Sequence, residues 1–360
     1  MRLTLTHEVH RIAYRDPFRI ARTLDPAETG EMTSVIVDLK SGVAHGIEAV
    51  GEGYPDAYYG ETEATMTAVL PRLLAAVEPL EDRLAGPDSS LPLAREALVQ
   101  AGTAMASAIA HHGAAKCALD IALHDLVGKR FGIPVHEVLG LSADIPPTDF
   151  TIGIDRPSLV AERAARAAHF PALKIKLGGP ADVETLAAVR GAYAGPIRVD
   201  ANTGWTLEDA RRILPDLVEL GVELIEQPFP ARRLDDLATL QAESPLPIVA
   251  DESAVTIEDL DGLVGVVAGV NVTLAKCGGV GPAARMLTRA RELGFRTFLG
   301  CMEETSVGIA ASASVGSLAE WVDLDGNLLL ATDPFEGLEL GSDCRWRLST
   351  LPGLGVSRRV

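Results

Sequence analysis

Three carboxylates and three lysines are placed where they could do chemistry together. Asp200, Glu226 and Asp251 each end a short apolar run, 26 and 25 residues apart. That interval fits one strand-plus-helix unit and sets the three on adjacent strands at similar height. Converging carboxylates repel unless a cation joins them, and an all-oxygen donor set without imidazole or thiolate suits Mg²⁺. The competing reading is that they cap the following helices or pair with Lys and Arg. Asn202 and Glu252 adjoin the set and are candidates to support it. Lys174 and Lys176 are two apart on a strand and point to one face. Two neighbouring ammonium groups are expected to lower at least one pKa, which makes a lysine a usable base near neutral pH. Lys276 follows Lys176 by four such units, which places it across from Lys176. A substrate carbon between them would have an amine on each face. The chemistry this suggests is proton abstraction beside a carboxylate, with Mg²⁺ stabilising the enediolate. Return of the proton from the opposite face inverts the carbon.

A second pair, Asp323 and Asp325, again lies two apart near the end of a strand-like run. Two anions on one face favour a cation, and a substrate ammonium group fits; capping of the backbone at Gly326 and Asn327 is the alternative.

These residues need elements to hold them. Eight strand-like runs, at 150–154, 173–177, 197–201, 224–228, 248–251, 270–275, 297–300 and 321–325, alternate with amphipathic helical stretches. This rhythm predicts a parallel sheet with helical crossovers, and its spacing favours a closed barrel. In a barrel, the C-terminal strand ends form the active-site face. No GxGxxG follows the first strand to support an open dinucleotide-binding sheet. The N-terminal part reads as a small α+β unit. Strands at 34–39 and 45–50 flank a turn at Lys40-Ser41-Gly42, and helices follow over 61–77, with Pro71 as a potential break, 93–110 and 114–130.

Composition narrows the partners. Among 360 residues, 50 acidic and 32 basic side chains give a formal net charge of −18, which disfavours nucleic acid and anionic membrane surfaces. No apolar run is long enough to span a bilayer, and the N-terminus lacks the layout of a secretory signal. The four scattered cysteines form no CxxC pair, so reduced thiols and a cytoplasmic location are expected. His111, His112 and His124 fall on helical segments and form no metal set. No histidine adjoins Cys277 or Cys301, which argues against a cysteine nucleophile.

Taken in order, several segments resemble the enolase superfamily in its muconate lactonizing enzyme subgroup. They are Pro17-Phe18-Arg19-Ile20-Ala21-Arg22, the helix Ala118–Asp125 with Leu139-Gly140, Leu173-Lys174-Ile175-Lys176, Val199-Asp200-Ala201-Asn202, Ile225-Glu226-Gln227-Pro228, Ala250-Asp251-Glu252-Ser253 and Leu274-Ala275-Lys276-Cys277-Gly278-Gly279. The resemblance covers nearly the whole chain. It implies a modified TIM barrel, (β/α)₇β, at 126–334, under an α+β capping domain formed by 1–125 and joined by about 335–360. It further implies Lys176 and Lys276 as the acid/base pair, Lys174 as assistant to Lys176, and Asp200, Glu226 and Asp251 as Mg²⁺ ligands, the pattern of a lysine base with bound Mg²⁺.

Asp323-Leu324-Asp325 resembles the Asp-x-Asp motif of dipeptide epimerases, such as the L-Ala-D/L-Glu epimerases, where the pair captures the dipeptide's α-ammonium group. The implied activity is inversion of the C-terminal residue's α-carbon. N-acylamino-acid racemase, o-succinylbenzoate synthase and cycloisomerase are alternatives within the subgroup; a Schiff-base aldolase using Lys276 and a non-catalytic binding protein are alternatives outside it. In Cys301-Met302-Glu303-Glu304-Thr305, Met302 and Glu303 are candidate side-chain contacts. Glu303 would disfavour an acidic substrate if it faces the pocket. Arg22 resembles a cap-loop arginine able to pair a substrate carboxylate, which pulls the other way. The segments around Arg22 and Gly51-Glu52-Gly53-Tyr54-Pro55 are expected to be mobile and to close over the site. The resemblance also implies a homo-oligomer.

Overall fold

A computed structural model describes residues 3–23 and 30–359. The N-terminal unit is an antiparallel sheet of three strands, β1 (Thr4–Ala13), β2 (Glu31–Lys40) and β3 (Glu48–Gly53), with β2 in the middle. The central strand carries the apolar run Val35-Ile36-Val37, fully buried, whereas β1 is an edge strand with mostly solvent-facing side chains. A helix over Glu63–Val77 starts at Thr62, whose side chain and backbone exchange hydrogen bonds with Thr65. Pro71 does not break it, because Met66, Leu70, Leu73 and Val77 hold one continuous face in the core.

The helix Gly113–Phe131 is buried from Ala114 to Gly128 and lies directly on β3. The close approach depends on glycine: a Cβ at Gly51 would stand 1.9 Å from the Ala118 carbonyl oxygen, and one at Gly53 2.3 Å from that of Ala114. Residues 51–53 are therefore a buried strand, in contrast to the mobile cover expected; only Tyr54 and Pro55 reach the site. The expected domain division at 125/126 falls inside this helix, whose apolar run continues to Phe131.

The second unit is an eight-stranded parallel sheet in sequential order. Its strands are β4 (Phe150–Ile152), β5 (Leu173–Lys176), β6 (Ile197–Asp200), β7 (Val222–Glu226), β8 (Ile248–Ala250), β9 (Gly269–Thr273), β10 (Arg296–Gly300) and β11 (Trp321–Val322). A parallel bridge from Thr148 to Val322, with the Asp149 amide donating to the Val322 carbonyl at 3.0 Å, joins the last strand to the start of the first. All eight expected runs contain a strand. Four chemistry-bearing residues lie just past their strands instead of on them. Asp251 follows β8, Asp323 and Asp325 follow β11, and Lys276 sits on a single helical turn, Leu274–Cys277, closed by Gly278 and Gly279 at φ 100° and 121°.

The C-terminal segment returns to the N-terminal unit. Phe335–Glu336 pairs with Ser357–Arg358, and Arg358 forms ion pairs with Glu8 at 3.0 Å and Asp38 at 2.8 Å on the antiparallel sheet. Asp125 ties three segments together by accepting the amides of Val50 and Leu354, each at 2.9 Å. Among the described residues no helix is long and apolar enough to cross a membrane.

Candidate active site

The C-terminal ends of the barrel strands and the N-terminal unit enclose a cavity of about 570 Å³. Lys174, Lys176, Asp200, Glu226, Asp251, Asn202, Met302 and Glu303 line it from the barrel, and Arg22, Tyr14, Tyr54, Asp56, Tyr58 and Tyr59 from the cap. The sequence points to thirteen side chains, twelve polar ones and Met302; the eight barrel residues just named and Arg22 meet on this wall. Lys276, Glu252, Asp323 and Asp325 do not line it.

The lysines and carboxylates are interlocked. Lys176 Nζ donates to Asp200 Oδ2 at 2.7 Å. Lys174 Nζ donates to Asp323 Oδ2 at 2.6 Å and lies 3.0 Å from Glu226 Oε2 and 3.6 Å from Asp200 Oδ2. Lys276 Nζ donates to Asp251 Oδ1 and to the carbonyls of Asp251 at 2.9 Å and Asn271 at 3.0 Å. Lys176 on β5 and Lys276 beyond β9 are four strands apart in a sheet of eight, which sets them on opposite sides of the barrel mouth.

The expected lowering of a lysine pKa is absent. Burial, the largest single influence, does favour the neutral amines, and Lys174 and Lys176 do repel, but Asp200 and Glu226 together outweigh both at Lys176, and Asp323, Glu226 and Asp200 together raise Lys174 well above the ordinary lysine range. A lysine pair shifts downward only where anions do not outnumber it, and here they do.

The carboxylates respond unequally. Burial pushes the Glu226 carboxyl up to about 8; Lys174 opposes the rise, while Asp200 and Asp251 add to it. Burial likewise lifts Glu252 to about 7, with Asp251 and Asp200 adding and Arg22 opposing. Asp200, despite its burial, is lowered by Lys176 and Lys174. Four oxygens in this group, Asn202 Oδ1, Glu226 Oε2, Glu252 Oε2 and Asn271 Oδ1, are buried without a hydrogen bond.

A hard divalent cation fits this donor chemistry: three carboxylates at neighbouring strand ends, excess negative charge, and buried oxygens without a hydrogen bond. Among the described residues no three acidic, imidazole or thiol groups are gathered tightly enough to hold an ion as they stand, since each carboxylate is turned toward a lysine.

Arg22 is committed within the protein. Its Nη1 donates to Glu252 Oε1 and, at 3.2 Å, to the Asn202 carbonyl, and its guanidinium lies 4.1 Å from the centre of the Tyr58 ring. Asp323 Oδ1 accepts from the Thr151 hydroxyl at 3.0 Å, and Asp325 Oδ2 accepts the Thr151 amide at 2.6 Å. Both aspartates are buried.

Two supporting residues were not found from sequence. Asn271 on β9 donates to Glu226 Oε1 at 2.7 Å; its signal was a polar residue between Val270 and Val272. Gln227 accepts the amides of Asp251 at 2.9 Å and Ser253 at 3.1 Å and donates to Ser253 Oγ, which fastens the end of β7 to the end of β8. Its φ of 31° is a strained value for a side-chain-bearing residue, as is 40° at Asn202, and both follow candidate metal ligands.

Comparison with known proteins agrees with this architecture. Residues 3–140 match the mandelate racemase / muconate lactonizing enzyme N-terminal domain, and residues 159–359 match the enolase C-terminal domain-like family. An L-Ala-D/L-Glu epimerase of Bacteroides thetaiotaomicron is 44% identical over 248 residues, which are 68% of this chain and 64% of that protein. This chain thus spans slightly under two thirds of that relative. An L-Lys-D/L-Arg epimerase of Methylococcus capsulatus is 36% identical over 359 residues, 94% of each chain. The crystal structure of a dipeptide epimerase from Enterococcus faecalis, complexed with Mg and L-Leu-L-Tyr, superposes with a TM-score of 0.87 at 29% identity, over 99% of this chain and 100% of that one.

Proposed function

Because the chain belongs to the mandelate racemase / muconate lactonizing enzyme family, we propose that its site is that of a Mg²⁺-dependent dipeptide epimerase, an isomerase that inverts the α-carbon of a dipeptide's C-terminal residue. The observation that carries this reading is the pair Lys176 and Lys276 on opposite sides of one barrel mouth, with Asp200, Glu226 and Asp251 at the ends of the strands between them. The relatives named above are epimerases.

Asp200, Glu226 and Asp251 would hold the metal, with Asn202 and Glu252 supporting them. Bound there, Mg²⁺ would neutralise the anions that now hold the lysine protons and supply positive charge to the substrate carboxylate. Lys176 Nζ and Lys276 Nζ are the proton carriers. One takes the α-proton, and the other delivers a proton to the opposite face, which inverts the carbon. Lys276 must leave its contacts with the Asp251 side chain and the Asn271 carbonyl to do so. Lys174 stays charged between its three carboxylates and adds a fixed positive charge beside Lys176.

Asp323 and Asp325 receive the dipeptide's α-ammonium. Asp325 supports this role because burial, reinforced by the neighbouring Asp323 charge, raises its carboxyl well above the ordinary range, a state that a further cation relieves. Acylated or succinylated substrates carry no such cation, which sets the racemase and synthase alternatives behind. The four free cysteines and the net charge of −18 favour a cytoplasmic enzyme that does not bind nucleic acid, and we expect a homo-oligomer.

Incubation with L,L-dipeptides and Mg²⁺ in D₂O tests the reading. Deuterium at the C-terminal α-carbon with accumulation of the L,D epimer, both abolished by a chelator, is expected. Absence of exchange with every dipeptide would overturn it.

A further inference from the structure

The relatives differ in the side chains their names carry, so they leave this chain's preference open; the cavity wall is more informative. Every cation on it is already engaged: Arg22 with Glu252, Lys174 with Asp323, and Lys176 with Asp200. Three carboxylates on the same wall, Glu303, Glu31 and Asp56, form no ion pair among the described residues. Glu303 lines the cavity together with Tyr54 and Tyr14, and all three are close enough to perturb one another's titration.

An acidic substrate side chain would find no free cation among the described residues of this cavity, and several carboxylates without an ion-pair partner there. A cationic one would find the Glu303 carboxylate, which feels Lys176 but forms no ion pair among the described residues, beside tyrosine rings able to cover its alkyl stem. Position selects the residue concerned. Glu303 follows β10, next to β11, whose end carries the ammonium-binding pair, whereas the metal ligands end β6, β7 and β8. The loop after β10 thus flanks the N-terminal residue of a dipeptide laid from β7 to β11.

Resting on the epimerase reading, we infer that Glu303 is a specificity-determining residue that selects dipeptides with a cationic side chain, lysine or arginine, at the N-terminal position. Glu31 and Asp56 add favourable potential at the rim.

The test measures kcat/KM for L-Lys-L-Ala, L-Ala-L-Ala and L-Glu-L-Ala by deuterium incorporation, in the wild-type protein and in Glu303→Gln. A hydrogen-bonded charge pair predicts that L-Lys-L-Ala exceeds L-Ala-L-Ala by about tenfold or more, with L-Glu-L-Ala poorest. In Glu303→Gln the Lys/Ala ratio falls toward one, mainly through KM. Equal or preferred use of L-Glu-L-Ala by the wild type overturns the inference, and so does a Lys/Ala ratio unchanged by the substitution. Exchange with none of the three overturns the inference, and absence of exchange with every other L,L-dipeptide as well overturns the epimerase reading itself, an outcome distinct from activity without preference. The wild-type ranking decides the matter even if the variant does not fold.

Discussion

Replacing Asp323 and Asp325 singly by asparagine should separate two carboxylates that look equivalent in the sequence. Asp323 holds Lys174 at 2.6 Å, but Lys174 also lies 3.0 Å from Glu226 and 3.6 Å from Asp200. A buried charge that loses its only partner costs about 3–5 kcal/mol, whereas loss of one charged hydrogen bond among several costs about 1.5–3 kcal/mol. Asp323→Asn belongs to the second case, and its Oδ1 can still accept from Thr151. The expected destabilisation is therefore about 2 kcal/mol. Asp325 is different: burial and the Asp323 charge raise its carboxyl well above the ordinary range, it forms no ion pair among the described residues, and an asparagine can keep the Thr151 amide bond. Asp325→Asn should leave ligand-free stability within about 0.5 kcal/mol. Urea denaturation at neutral pH without substrate measures both. Both variants should nevertheless lose most kcat/KM toward free-amine dipeptides. Equal destabilisation by the two substitutions would refute the assignment of charge within the pair. A loss above about 4 kcal/mol for Asp323→Asn would show that Glu226 and Asp200 do not share Lys174.

Two further outcomes follow from the packing and from the titrations. Gly51→Ala forces a Cβ to within 1.9 Å of the Ala118 carbonyl oxygen, so it should cost about 1–3 kcal/mol or more by thermal or urea unfolding, and wild-type stability would contradict the packing of β3 on the helix. Glu226 and Glu252 titrate near 8 and 7 in the folded chain against an ordinary 4.5. The metal-free protein therefore binds more protons than the unfolded chain, and these groups make it less stable as pH rises from about 4.5 toward 8. Mg²⁺ needs ionised carboxylates, so its stabilising shift in Tm should be larger at about pH 8 than at about pH 6; an equal or smaller shift at the higher pH would count against the proposed ligands.

The barrel was legible because each strand has an apolar run followed by a conspicuous polar residue, as in Ile197–Asp200 and Val222–Glu226. The edge strand Thr4–Ala13 was not, because its exposed His, Glu and Arg residues mask the alternation that β2 shows clearly. At the site, types and spacing pointed to the residues but not to their partners. Charge balance is a sum over all buried groups, so the excess of carboxylates around Lys174 and Lys176 reverses a shift inferred from the two lysines alone. The commitment of Arg22 to Glu252 links residues 230 apart and has no local signature. Asn271 and Gln227 escaped notice because a lone amide in a strand or turn reads as incidental until its partners are seen.

The central claim is that Lys176 and Lys276 serve opposite faces of one carbon. The direct measurement is proton NMR of α-hydrogen exchange in D₂O for the L,L and L,D epimers of one dipeptide, with Lys176→Ala and Lys276→Ala proteins and Mg²⁺ present. Each variant should lose epimerisation yet retain slow exchange of a single epimer, and the two variants should retain opposite ones. Exchange of the same epimer by both variants, or inversion surviving in either, would contradict the account.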